Sequence, residues 1–170
     1  MDDEDVEARG FGIGDWLKAI GGVLFFIAGL LPWWSYSFEG PAGSLKFDDN
    51  AFDYGDGVVA YVLFVAIGVV TIISQTGSLR LPAVLVHPAL LLTAAIVGTG
   101  LVAYRFFAGG SENASRGLGM YLAAAGAVLV LAGCVLAYRE HRLYATDEDV
   151  DELLDAPARG RRSLHHPPLP

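Results

Sequence analysis

Few residues in this chain have the type and spacing to do chemistry. His87 is the only histidine inside a long apolar stretch, and an ionisable group at membrane depth reads by default as functional. A proton relay needs a second acidic or basic partner at the same depth, and the apolar runs hold none. His87 also directly precedes Pro88 and lies near Arg80, so the bland reading is a polar residue at the start of a helix. Asp48, Asp49, Asp53 and Asp56 lie close together, and carboxylate oxygens suit a hard cation. Their order matches no EF-hand loop. Solvated loop acids, with Asp56 capping the helix that follows, are the better account of them, and Asp53 and Asp56 are the functional candidates of that loop. Cys134 is the only cysteine, which rules out an intramolecular disulfide or a cysteine-based structural zinc site. No catalytic, cofactor-binding or metal-binding residue is assigned, and no cofactor is expected.

These residues are carried by four long apolar runs. The chain has 170 residues, 54% of them hydrophobic. Four separate stretches near the roughly 20 residues that a bilayer core requires point to an integral membrane protein. The fold class expected is all-α: a four-helix transmembrane bundle, with spans at about 16–34, 58–74, 82–107 and 118–138 and a short extracellular β-hairpin between spans one and two. Residues 1–15 hold six acids against Arg9 and read as a disordered tail. Asp15 is placed to cap span one, and Lys18 to snorkel its ammonium to the nearby surface. The acidic start and the run ending Leu-Leu-Pro-Trp-Trp do not fit a cleaved signal peptide. The net charge of −8 argues against nucleic acid as a partner, because no basic face is available for phosphates.

The loop 35–57 carries the hairpin signal. Tyr36, Phe38, Leu45 and Phe47 alternate with serines and Lys46 around Gly40-Pro41-Ala42-Gly43, which predicts two strands sharing one aromatic face. Trp33, Trp34, Tyr36, Phe38 and Phe47 are read as aromatics at the membrane–water interface. In span four, Gly119, Ala123, Gly126, Val130, Gly133 and Ala137 recur at spacings of four and three. This stripe of mostly small residues suits close helix packing in lipid, with Ala95 and Gly98 on span three as counterparts. Residues 139–170 are read as a mostly disordered tail containing a short acidic helix from Thr146. That helix would present Val150, Leu153 and Leu154 to a partner.

Basic residues in the short flanks set the orientation. Arg9, Lys18, Arg80, Arg139 and Arg142 fall on one side, against Lys46, Arg105 and Arg116 on the other. Both termini are therefore expected in the cytoplasm of a multi-pass plasma-membrane protein. Span one, a tryptophan-started loop with β character and three further spans together resemble the claudin-like tetraspan layout. Claudins pair two cysteines in that loop, and this loop has none. The chain also resembles small four-span proteins of actinobacteria and haloarchaea, a likeness that brings no activity with it. Thiol oxidoreductases, di-haem cytochromes and intramembrane hydrolases need cysteine pairs, span histidines or paired catalytic residues that these runs lack, and small multidrug transporters need a glutamate in the first span. The function expected is non-enzymatic: an accessory or scaffold subunit packing with membrane lipid and with other membrane proteins or itself. The alternative is a subunit of an oligomeric transporter or channel, whose polar path would have to use Thr71, Ser74, Thr93 and Thr99.

Overall fold

The structure is a computed structural model. It describes residues 11–41, 43–77, 79, 81–109 and 114–160, with 144–160 described as helix backbone only. Helix α1 spans Ile13–Leu30, and strands β1 (Trp34–Gly40) and β2 (Gly43–Asp49) follow it. A 3-10 turn at Ala51–Asp53 leads into α2 (Gly55–Thr76), followed by α3 (Pro88–Ala108), β3 (Ala114–Arg116) and α4 (Leu118–Gly160). The molecule is mostly helical. Four of its helical segments, including Leu118–Leu143 of α4, are long and apolar enough to cross a membrane.

The helix ends follow local chemistry. Pro32 disfavours helical backbone at the residue before it, and Leu31 is extended at φ −96°, ψ 157°. Gly77 ends α2 at φ +63°, a left-handed conformation that glycine adopts without a Cβ penalty. Pro88 occupies the first turn of α3, where its missing N–H costs nothing. Residues 82–87 therefore form turns ahead of α3, and the third span is shorter than the 82–107 read from sequence.

Each long helix packs on its neighbour in sequence, and α4 closes the ring against α1. The α1–α4 seam is antiparallel and built on matched seven-residue repeats: Gly14 meets Gly133, Gly21 meets Gly126, and Ala28 meets Gly119. A Cβ on Gly126 would lie 3.0 Å from the Gly21 carbonyl oxygen, and one on Gly21 would lie 2.8 Å from that of Gly126. Backbones this close leave no room for a side chain at either position. The small-residue stripe thus packs on α1 rather than on α3. Gly98 of α3 instead receives the ring of Phe64, which would lie 2.9 Å from an added Cβ. A second close approach, between Gly22 and Gly68, joins α1 to α2.

The centre of the bundle is apolar and filled. Phe25, Phe64, Ile67, Met120, Val130 and Cys134 are fully buried, and the Phe25 and Phe64 rings stack with centroids 4.6 Å apart. At one end lies a three-stranded antiparallel sheet in the order β2-β1-β3. Tyr36 pairs with Phe47 and Phe38 with Leu45, as the alternation requires. The third strand is formed by Ala114–Arg116 against Trp34–Tyr36, in the connection between the third and fourth spans.

One further expectation changes. α4 runs unbroken through the region read as a tail with its own short helix. No glycine or proline occurs between Gly133 and Pro157 to stop it. Val150, Leu153 and Leu154 thus lie on α4, but their side chains fall outside the described residues, as do residues 1–10 and 161–170.

Candidate functional site

Polar side chains gather at both ends of the bundle, and the two sets are built differently. At the sheet end, the Arg105 guanidinium donates to both carboxylate oxygens of Asp56, one of the two bonds being 3.0 Å from Nε. The same guanidinium lies 4.0 Å from the Tyr54 ring centroid, within cation–π range. Tyr54 donates to Asp49 Oδ2 at 2.7 Å, and its hydroxyl meets that of Tyr36 at 3.1 Å. Burial first, then the hydrogen bonds to Tyr36 and Asp49, hold the Tyr54 phenol well above its usual ionisation range. On the other flank, Arg116 stacks over Phe106 at 4.7 Å and Trp34 at 5.7 Å.

In this network the loop aspartates have separate partners. Asp48 accepts from Ser35 at 2.6 Å. Asp53 accepts the Asn50 N–H at 2.7 Å, completing a capping box around the 3-10 turn. Asp56 is held by Arg105 and does not cap α2, whose N-cap is Tyr54. The four carboxylates therefore do not converge. Among the described residues, no three His, Cys, Asp or Glu side chains are grouped to hold a metal ion.

The aromatics divide in the same way. Trp33 and Trp34 are buried at 0% and 3% exposure. Trp33 donates from Nε1 to the Ala28 carbonyl at 2.9 Å. Both belong to the buried core cluster, Trp34 as the first residue of β1, so they are core residues rather than aromatics exposed at the surface. Phe38, Leu45 and Phe47, further out along the hairpin, are exposed. Tyr36 sits between these groups, tied to Tyr54.

The opposite end holds a cavity of about 380 Å³ to which all four helices contribute. Asp15 and Lys18 line it from α1, Thr71, Ser74 and Gln75 from α2, Pro88 from α3, and Glu140 and His141 from α4. Lys18 is buried rather than extended to the surface, and its ammonium lies 2.7 Å from Asp15 Oδ1. Gln75 donates to the other Asp15 oxygen at 2.7 Å. Asp15 thus ties α1 to α2 instead of capping α1, whose N-cap is Gly12. His87 is the N-cap of α3: its Nδ1 accepts the Ala89 N–H at 3.3 Å, and its ring meets that of His141 at 5.8 Å.

Sequence reasoning named His87 at this end but missed the cavity. An i, i+3 Asp-Lys pair at the start of an apolar helix was the available signal. Its third member, Gln75, is sixty residues away, and no local pattern links them. No protein-family model matches the chain, and no curated protein or solved structure is significantly similar to it.

Proposed function

We propose that the chain is a multi-pass plasma-membrane protein with four spans, both termini in the cytoplasm and the sheet outside. It acts as a non-enzymatic accessory subunit that packs with other membrane proteins, with lipid or with a second copy of itself. One observation carries the membrane reading: the spacing of the two polar ends. Asp56 and Gln75 are nineteen residues apart on α2, and His87 and Arg105, at the N-cap and in the last turn of α3, are eighteen apart. At about 1.5 Å per residue this puts the polar belts about 27–29 Å apart, close to the roughly 30 Å of a bilayer's hydrocarbon core. Between the belts the outward side chains are apolar and exposed, among them Val23, Phe26, Val62, Val69, Ile96 and Val128.

The filled centre supports the accessory reading over a conduction path through one chain. Thr71, Thr93 and Thr99 each donate to a carbonyl one turn back on their own helix, so their hydroxyl protons are committed to the backbone. The layout, with a tryptophan-started sheet after the first span, remains similar to the claudin-like arrangement. Alkaline extraction followed by native co-purification tests the proposal. The protein should stay in the membrane pellet and bring at least one other membrane protein, or a second copy, in fixed ratio. Release at alkaline pH would overturn the membrane reading. A pure monomer would overturn the accessory reading.

A further inference from the structure

The cavity at the end opposite the sheet has a chemical bias that the packing of the bundle does not require. Lys18, its one buried cation, is matched by Asp15 at 2.7 Å, so that pair presents no net charge. Glu140 lines the same cavity and makes no ion pair with any described residue. The lining as a whole is therefore left with one uncompensated negative charge.

The neutral polar groups bias it the same way. Thr71 donates its hydroxyl proton to the Ile67 carbonyl at 2.8 Å, and Ser74 donates to the Thr71 carbonyl at 2.9 Å. The Gln75 amide nitrogen donates to Asp15 at 2.7 Å. Once those protons are committed, the Thr71 and Ser74 hydroxyls have only oxygen lone pairs left to offer, and Gln75 keeps its amide oxygen and one N–H. Two hydroxyl oxygens, an amide oxygen and the exposed Glu140 carboxylate offer more lone pairs than the remaining N–H donors of Lys18, Gln75 and His141 can use, which leaves an acceptor excess. Val70, Val86, Leu91 and Ala137 supply an apolar wall beside it. A cavity of about 380 Å³ is at the small end of the range for ligand sites.

We propose that this cavity binds a primary ammonium group carried on a short, partly apolar ligand. Three N–H donors on one positive centre match the acceptor excess and the charge of Glu140. A bare metal ion fits less well, because the described carboxylates and histidines do not converge. A quaternary ammonium carries the same charge but has no N–H to donate. Two sources share the chemistry: a free small amine, and the headgroup of an ethanolamine phospholipid reaching the cavity from the bilayer. The free-amine arm of the test does not depend on the membrane reading.

Ethanolamine and choline are titrated against the full-length protein in a neutral detergent, with thermal stability as the readout. The same protein is then compared in nanodiscs of ethanolamine lipid and of choline lipid. A saturable stabilisation by ethanolamine and not by choline supports a soluble amine. Stabilisation by the ethanolamine lipid alone supports the headgroup. In either case Glu140→Gln and Ser74→Ala should each weaken the response at least tenfold, whereas Glu39→Gln at the sheet end leaves it unchanged. Equal responses to the primary and quaternary forms, no response to either, or full retention of the response in both Glu140→Gln and Ser74→Ala would overturn the proposal.

Discussion

The two polar ends of this bundle hold similar residues in different arrangements. At the sheet end Arg105, Asp56, Tyr54, Asp49 and Tyr36 form a closed chain in which each side chain has a described partner. At the other end, Asp15, Lys18 and Gln75 form a shorter chain beside a cavity, and Glu140 is left over. The first arrangement locks a sheet to the helix ends. The second holds α1 to α2 and still presents unused acceptors. Satisfied networks give rigidity, and a surplus of one hydrogen-bonding type marks the end available for binding.

Both ends depend on the α1–α4 seam, so the largest effect is expected there. Gly126→Leu drives side-chain atoms into the Gly21 carbonyl, which as backbone cannot move aside. The cost should reach about 3 kcal/mol, the upper part of the usual range for overpacking. Val128, two residues on, is 62% exposed, and Val128→Ala should cost far less in thermal unfolding in detergent. Equal losses would mean that the seam does not hold the ends together.

Removing a cation from each end sharpens the contrast. Arg105→Met leaves Asp56 partly buried without its bidentate donor and strips the cation from the Tyr54 ring. A loss of about 1.5–3 kcal/mol follows from the range for hydrogen bonds to charged groups. Lys18→Met keeps the aliphatic packing, and Asp15 retains the Gln75 donor, so the loss should be about 1 kcal/mol. If Lys18→Met proved the more damaging, the cavity end would be the structural one.

Much of this architecture was legible before the coordinates. The apolar runs specify four helices because few other arrangements bury or solvate such stretches. Alternation around Gly40 and Gly43 specifies the hairpin and its aromatic face. The stripe on α4 was visible because helical period places those residues together, but its partner was not. Gly14, Gly21 and Ala28 repeat every seven residues on α1, and that match emerges only when two helices are compared. Ala114-Ser115-Arg116 is too short to show a strand period. Trp33 and Trp34 are residue types suited to an interface, yet both join the buried core cluster, with Trp34 as the first residue of β1.

A smaller effect concerns alkaline pH. Folding raises the Tyr54 phenol above its unfolded value, so its contribution is complete below about pH 10 and is lost as pH rises beyond that. Tyr54→Phe should lower stability at neutral pH, through the lost bond to Asp49, and flatten the fall above about pH 10. An unchanged alkaline slope would remove Tyr54 from the network. The smallest effect belongs to His87→Asn. Asparagine caps as histidine does here, so stability should stay within about 0.5 kcal/mol. A large loss in this variant would give the histidine a role beyond capping α3.

The central claim is that the two ends face opposite sides of a membrane, and cysteine accessibility tests it most directly. Cys134, the only native thiol, is buried, so its background labelling is low. Ser44→Cys, in β2, should react with a membrane-impermeant maleimide in intact cells. Leu79→Cys, at 63% exposure between α2 and α3, should react only after permeabilisation. Labelling of both sites in intact cells would contradict the account, and labelling of Leu79→Cys alone would keep the ends on opposite sides but reverse the orientation.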